Sequence, residues 1–143
     1  ARIIAQERLQ DKSDRYYFTE TIRLPSGQLY ISPLDLNREH GRVEVPYKPV
    51  IRYAVPVDYL GERAGIIIIN VFGDALLRFL ESQGKYYSLM LVDPEGYYLF
   101  HPDAARRWGG PRDLDTGYRL QADYAPAVAA AVRIGEHGTE ILF

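Results

Sequence analysis

Arg52 and Asn70 are the polar residues most conspicuous for where they lie. Both fall inside Pro49 to Val71, PVIRYAVPVDYLGERAGIIIINV, which otherwise reads as two long strands joined by a short turn at Tyr59–Glu62. An unpaired polar group buried in such a hairpin costs ~1–3 kcal/mol, so protein groups or a ligand must satisfy them. Arg15-Tyr16-Tyr17-Phe18 is the second suggestive cluster. A guanidinium can grip a carboxylate through two parallel N–H bonds while neighbouring rings exclude water. Spacing alone favours a plainer reading, an ordinary helix with an exposed Arg15 and buried Tyr17 and Phe18.

Catalytic and metal-binding patterns do not assemble. His40, His101 and His137 are far apart and lack metal-ligand spacing. His101-Pro102-Asp103 resembles a His–Asp pair, but without a nucleophile motif it reads better as a loop with Asp103 as a turn or cap residue. Asp35, Asn37, Glu39 and Glu44 offer oxygen ligands without the order of a calcium loop, so a solvated loop is the better reading. Gly109-Gly110 is followed by neither Gly-Lys-Ser/Thr nor a spaced third Gly, which argues against a phosphate loop or dinucleotide fingerprint. Cysteine is absent, which removes thiolate and disulfide chemistry and fits a periplasmic or a cytosolic domain equally. The expectation is a non-enzyme with no cofactor and no metal.

The elements that must position these residues follow from periodicity. The run of four Ile in Ala64–Val71 suits a strand covered on both faces. Arg52 shares a face with Ala54, and Asn70 shares one with Ile66 and Ile68. Asp11–Leu24 is expected to hold a helix capped by Ser13 or Asp14 and ended by Pro25-Ser26-Gly27. Gln28–Ser32 and Arg42–Val45 are expected as short strands around the polar loop Pro33–Gly41. Gly73–Gly84 reads as a helix with the apolar stripe Leu76, Leu77, Phe79 and Leu80. Lys85–Val92 and Tyr97–Phe100 are strands joined by the turn Asp93-Pro94-Glu95-Gly96. After the loop His101–Asp115 come an Ala-rich helix over Asp123–Val132, with Pro126 in its first turn, and a last strand over Thr139–Phe143. The order implies an α+β fold. Strand clusters on either side of the Gly73–Gly84 helix make that helix a junction between two modules, residues 1–84 and 85–143.

With 143 residues, 47% hydrophobic and 25% charged, the chain can build a core and is not a disordered sequence. Its net charge of −2, with acids and bases interspersed, argues against nucleic acid. Twelve tyrosines supply apolar area with polar handles, useful in pockets and interfaces. No run approaches the ~18 apolar residues of a membrane span, and no signal peptide is visible. The start without Met reads as a processed or excised piece, whose flanks could carry a membrane anchor.

Four stretches, LQDKSDRYYF (Leu9–Phe18), GQLYISPLDLNREHGRVEVPYKPVIRYAVPV (Gly27–Val57), GIIIINV (Gly65–Val71) and LMLVDPEGYYLFHPD (Leu89–Asp103), together resemble the double Cache family. These are PAS-like extracytoplasmic sensor domains of bacterial histidine kinases, diguanylate cyclases and chemoreceptors. The Trp-Gly-Gly at Trp108 and the run after it fit the same group. The resemblance implies a PAS-like antiparallel sheet flanked by helices. Residues 1–84 would be a membrane-distal module lacking its N-terminal helix and first strand, and residues 85–143 the start of a membrane-proximal one. It further implies a small-molecule ligand held in the distal module, with Arg15, Tyr17 and Phe18 matching a looser form of the family's Arg-x-Trp-Tyr. Asn70 takes the place of an Asp that pairs with the ammonium of amino-acid ligands, which points to a carboxylate or other neutral-to-anionic metabolite held by Arg15, Arg52 and Asn70. Tyr30, Asp35 and Asn37 would line the mouth, or else Asp35, Asn37 and Glu39 only pin their loop. The parent would be a membrane-anchored receptor, a sensor histidine kinase first, with its sensor in the periplasm and a homodimer possible. The competing reading is a ligand-free dimerisation or protein-interaction module.

Overall fold

The computed structural model describes residues 5–84, 88–126, 134–135 and 138–139. Its largest element is the expected hairpin, strands β5 (Pro49–Tyr59) and β6 (Glu62–Phe72). The two pair antiparallel from Val50 opposite Phe72 to Tyr59 opposite Glu62, with a bulge after Val57. The turn puts Leu60 at φ 52° and Gly61 at φ 84°. Two successive left-handed residues match the right-handed twist of the strands, and Gly61 takes that conformation without a Cβ clash.

On the other edge of β5 two short strands lie end to end. β1 (Tyr30–Ile31) pairs with Tyr53 and Ala54, and β2 (Asp35–Leu36) pairs with Pro49 and Val50. Pro33 lies between them and has no N–H to extend the ladder. Ser32 bridges the gap: its N–H donates to the Arg52 carbonyl at 2.9 Å, and its Oγ accepts from the Arg52 N–H at 2.8 Å. The polar loop closes on itself through β3 (Arg38–Glu39) and β4 (Arg42–Val43).

One face of β5, carrying Val50, Arg52 and Ala54, is buried, and helix α1 (Tyr16–Thr21) packs against the strand there. β6 departs from expectation. Ile67 and Ile69 are 57% and 62% exposed, and Val71 and Phe72 are also open. Among the described residues β5 is the only strand paired with β6, so this apolar run has an uncovered face and an unpaired edge rather than cover on both sides.

Helix α2 (Asp74–Gln83) follows, begun by Gly73 and ended by Gly84 as the sequence suggests. Leu77 packs inward, whereas Leu76 and Phe79 of the same stripe are exposed. Beyond it, β7 (Leu91–Val92) and β8 (Tyr98–Phe100) form a second hairpin around the Asp93–Gly96 turn. That turn is closed by Gly96 N–H to Asp93 O at 2.9 Å and by Tyr97 N–H to Asp93 Oδ1 at 2.9 Å.

The principal core consists of Leu36, Leu99 and Trp108, with Leu34, Val43, Leu77, Leu91 and Leu114 packed on it. It draws on residues from both sides of α2. Trp108 enters it from a left-handed backbone position, φ 61°. The following Gly109 passes so close to the 118 backbone that a Cβ there would lie 2.3 Å from Tyr118 O. The Trp-Gly-Gly motif is thus one large core side chain and a backbone that needs a residue without Cβ.

The C-terminal helix also differs from expectation. Helix α3 is the single turn Leu120–Asp123, and Tyr124 is extended, so no helix runs unbroken from Asp123. Asp123 is held instead by Tyr98 Oη at 2.9 Å and by the Arg106 guanidinium at 2.6 Å. Pro126 does adopt helical backbone; the rest of that expected helix lies outside the described residues. The last strand is seen as β10 (Gly138–Thr139) on β9 (Ile134–Gly135), and Glu140–Phe143 lie outside the described residues.

Candidate functional site

Helix α1 starts one or two residues later than the sequence suggests. Its N-cap is Arg15, in extended backbone and without a side-chain cap bond, not Ser13 or Asp14. The Asp11 carboxylate has taken the Ser13 N–H at 2.9 Å in a local turn before the helix begins. This register places Tyr16 and Tyr17 in the first turn, edge to face with centroids 5.5 Å apart, above the buried face of β5.

Beneath them Arg52, 2% exposed, is fully engaged. Its Nη1 pairs with Asp35 Oδ1 and reaches Tyr16 Oη at 3.3 Å, and its Nη2 donates to Asn37 Oδ1 at 3.3 Å. The second Asp35 oxygen accepts the Tyr16 hydroxyl at 2.6 Å. The Tyr17 ring covers the guanidinium, 4.8 Å from its carbon to the ring centroid. Burial, and then the bond to ionised Asp35, push the Tyr16 hydroxyl well above its ordinary range, so it stays a donor. Four groups from α1, β2, the following loop and β5 thereby satisfy one another.

Asn37 also organises the loop. Its N–H donates to Lys48 O at 2.8 Å, its carbonyl accepts from Glu44 N–H at 2.9 Å, and its Nδ2 donates to Glu39 at 3.2 Å and Glu44 at 3.0 Å. Burial opposes ionisation of Glu39, yet hydrogen bonds from Gln10, Lys12 and Asn37 keep its carboxyl below the usual range. No set of three or more acids or histidines that could hold a metal occurs among the described residues. His101 and Asp103 form a local turn: Asp103 N–H donates to His101 Nδ1 at 3.0 Å, and the Asp103 carboxylate caps the 3-10 turn Ala104–Arg106 by accepting from Ala105 N–H at 3.0 Å.

The eight residues singled out by sequence therefore divide. Tyr17, Asp35, Asn37 and Arg52 come together in one closed network. Arg15 lies at its rim, with its guanidinium carbon 5.8 Å from the Tyr17 centroid. Tyr30 is half-buried opposite Ala54, with its hydroxyl raised by burial, and Phe18 is half-buried on α1. Asn70 faces Arg52 across the ladder, as both lie on one face of the sheet, but it is exposed. Only one of the two expected buried polar groups in the hairpin is buried.

Two open pockets adjoin the network, and Asp35, Pro111 and Arg112 border both. The smaller, about 250 Å³, is ringed by Arg15, Arg38 and Arg112 with Asp14 and Tyr16. The larger, about 390 Å³, lies between Pro33–Asp35 and the second hairpin, and presents Asp93 and Asp113 beside Leu34, Tyr97 and Leu99. Asp113 is buried, and its Oδ1 accepts the Leu36 N–H at 2.7 Å. Burial raises its carboxyl to about 6, against the opposing hydrogen bond from Leu36. Arg38 reinforces the join by donating to the carbonyls of Arg112 and Asp113, both at 3.1 Å. Sequence reasoning named Tyr16 only as part of the Arg15–Phe18 cluster, without a role, and missed Arg38, Arg112 and Asp113. Nothing in local spacing could bring Arg112 to Arg15.

Comparison with known proteins agrees with this architecture. The extracellular domain of the putative histidine kinase vpHK1S-Z8 superposes with a TM-score of 0.70 at 26% identity, over 86% of this chain and 44% of that one. A domain of a putative sensory box/GGDEF family protein from Vibrio parahaemolyticus gives a TM-score of 0.72 at 26% identity, over 86% of this chain and 47% of that one. The ligand-binding domain of the Pseudomonas aeruginosa PAO1 amino acid chemoreceptor PctC, solved with GABA, shares the fold at a TM-score of 0.50 and 18% identity, over 74% of this chain and 44% of that one. The chain spans less than half the length of each. No curated protein matches the sequence significantly. The α+β, PAS-like fold is that of non-catalytic sensing modules from the extracellular side of bacterial signal-transduction receptors. Residues 1–132 match the family model of the bacterial histidine kinase sensor domain, and the chain belongs to that family.

Proposed function

We propose that this chain senses a small carboxylate or similar polar metabolite for a transmembrane receptor, a histidine kinase in the first instance. Residues 1–84 form the ligand-binding, membrane-distal module, and residues 85–143 begin the membrane-proximal one. The parent is anchored in the inner membrane with this part in the periplasm. No described helix is long and apolar enough to cross a membrane. The observation that carries the reading is the division of labour between arginines. Arg52 is neutralised by Asp35 and held rigid, whereas Arg15, two residues before Tyr17, forms no ion pair among the described residues. A buried, satisfied network is a stiff floor, and an unpaired guanidinium at its rim is free to take an anion. Arg52, Asp35 and Asn37 then position the site rather than touch the ligand, while Arg15, Tyr17, Phe18, Tyr30 and Asn70 surround it. Ligand binding shifts the receptor only by the difference in affinity between its two states.

A thermal-shift screen of small carboxylates, amino acids, amines and nucleobases tests this reading. Ligand at ~100 times its dissociation constant adds about 2.7 kcal/mol, several degrees in Tm. Loss of a carboxylate hit in Arg15→Gln supports the site, and a full screen without stabilisation overturns it. The exposed apolar face of β6 favours a second reading, a dimerisation or protein-interaction module. Sedimentation of the chain as a monomer across micromolar concentrations would remove the homodimer.

A further inference from the structure

Three guanidinium groups from distant parts of the chain surround the 250 Å³ pocket: Arg15 before α1, Arg38 in β3 and Arg112 in the loop after Gly110. Asp35 borders the same pocket, but its oxygens are taken by Arg52 and Tyr16, so it does not offset this charge. Arg38 donates to the carbonyls of Gly41, Arg112 and Asp113, and neutral acceptors leave its positive charge uncancelled. Arg15 and Arg112 form no ion pair and donate no side-chain hydrogen bond among the described residues. Each is instead placed against a ring, Arg15 at 5.8 Å from the Tyr17 centroid and Arg112 at 5.5 Å from that of Tyr16. Stacking fixes the plane of a guanidinium and leaves its N–H edge available. Asp14 contributes one carboxylate at the rim. The pocket thus gathers three positive charges against one in a protein whose net charge is −2. Like charges gathered around one pocket repel, and a bound anion relieves that repulsion.

We propose that this pocket binds a small oxyanion carrying two negative charges, gripped by the edges of Arg15 and Arg112 within the field of Arg38. The inference rests on the sensor reading for its purpose, because both use Arg15. It adds the charge of the ligand and a contact from the far side of α2. Arg112 precedes Asp113, whose carboxylate already holds the Leu36 N–H. A dianion bridging Arg15 and Arg112 therefore ties α1 to the loop that packs Trp108 into the core, which is a route from ligand to the second half of the chain.

Isothermal titration of the full chain with inorganic phosphate, succinate and acetate at matched ionic strength tests it. Phosphate or succinate is expected to bind at least tenfold more tightly than acetate, and which of the two binds separates a tetrahedral anion from a dicarboxylate. Arg112→Gln, an exposed position, is expected to weaken that binding roughly 10- to 100-fold, the effect of one charge-assisted contact. Should that variant melt below the wild type, Arg112→Lys is read in its place, with a several-fold loss from the missing second N–H. Dianions binding no better than acetate, or binding unaltered by the Arg112 substitutions, would overturn the proposal. Acetate binding that depends on Arg15 but not on Arg112 would overturn it while leaving the sensor reading intact. No binding of phosphate, succinate or acetate overturns the dianion proposal, and the thermal-shift screen then decides the sensor reading separately.

Discussion

Removing Asp35 tests whether the arginine network is closed. Asp35→Ala leaves the Arg52 guanidinium 2% exposed, with only the Tyr16 hydroxyl and Asn37 Oδ1 as polar neighbours at 3.3 Å. Taking one partner from a buried pair costs about 3–5 kcal/mol, because the remaining charge keeps its desolvation penalty without its counter-ion. With a urea m-value of roughly 2 kcal/mol per molar for a chain of this size, the midpoint should fall by about 1.5–2.5 M. The matching loss in Tm is roughly 10–20 °C. Fluorescence of Trp108, the only tryptophan, reports the transition, since it is buried against Leu36, the residue after Asp35. The control is Asp35→Leu with Arg52→Met, which exchanges the pair for apolar groups of similar volume. That double variant should recover most of the lost stability, since a buried ion pair contributes little net against a well-packed apolar substitute. A cost below about 1 kcal/mol for Asp35→Ala, or a double variant no better than the single, would refute the idea that Arg52 is neutralised internally.

Four further outcomes follow from the same geometry. Asp113 titrates near 6 in the folded chain and near the ordinary carboxylate value when unfolded, so the folded state holds its proton more tightly. Its contribution therefore favours folding at acid pH and declines as pH rises from about 4 to 6, by an amount on the order of 2–3 kcal/mol, and is flat above. Asp113→Asn keeps an acceptor for Leu36 N–H, and urea melts at several pH values should show that component missing from the difference between variant and wild type. Gly109→Ala places a Cβ 2.3 Å from Tyr118 O and is expected to cost about 1–3 kcal/mol or more, read as a fall in Tm with altered Trp108 emission. Trp108→Phe, which shrinks the core side chain, should destabilise by on the order of 1–3 kcal/mol in urea melts followed by circular dichroism, whereas Ile69→Thr on the open face of β6 should change stability by less than about 0.5 kcal/mol.

Much of the fold was legible before any coordinates. The Pro49–Val71 hairpin, its turn at Leu60-Gly61, the helix between Gly73 and Gly84 and the turn at Asp93–Gly96 are local. Each follows from alternation, from residues that tolerate left-handed backbone, or from Gly and Pro placed where a turn needs them. The polarity of Arg52 inside an apolar strand was also a local signal, and it correctly marked a position that required partners. The start of α1 was misread because Ser13 and Asp14 lie in a turn ahead of the helix, with Ser13 N–H held by Asp11 and Arg15 N–H by Lys12 O, and such local turns and caps differ too little in energy to be ranked from sequence. The start of the C-terminal helix was misread because Asp123 is held by Tyr98 and Arg106, contacts that propensity does not register.

Sequence by itself located the central hairpin, the Gly73–Gly84 helix and the Asp93–Gly96 turn, and it marked Arg52 as a polar residue in need of partners. Tertiary structure alone decided which arginine is paired internally. Arg52 is satisfied because β2 brings Asp35 alongside β5, and Arg15 gains Arg112 as a neighbour because the Trp108 loop folds back onto Leu36. It also left Asn70 exposed, although the pleat places it opposite Arg52, because burial depends on what covers a face and not on which face a residue occupies. Periodicity acts over a few residues. Charge pairing and burial act through space, across loops whose paths are set by the packing of Leu36, Leu99 and Trp108.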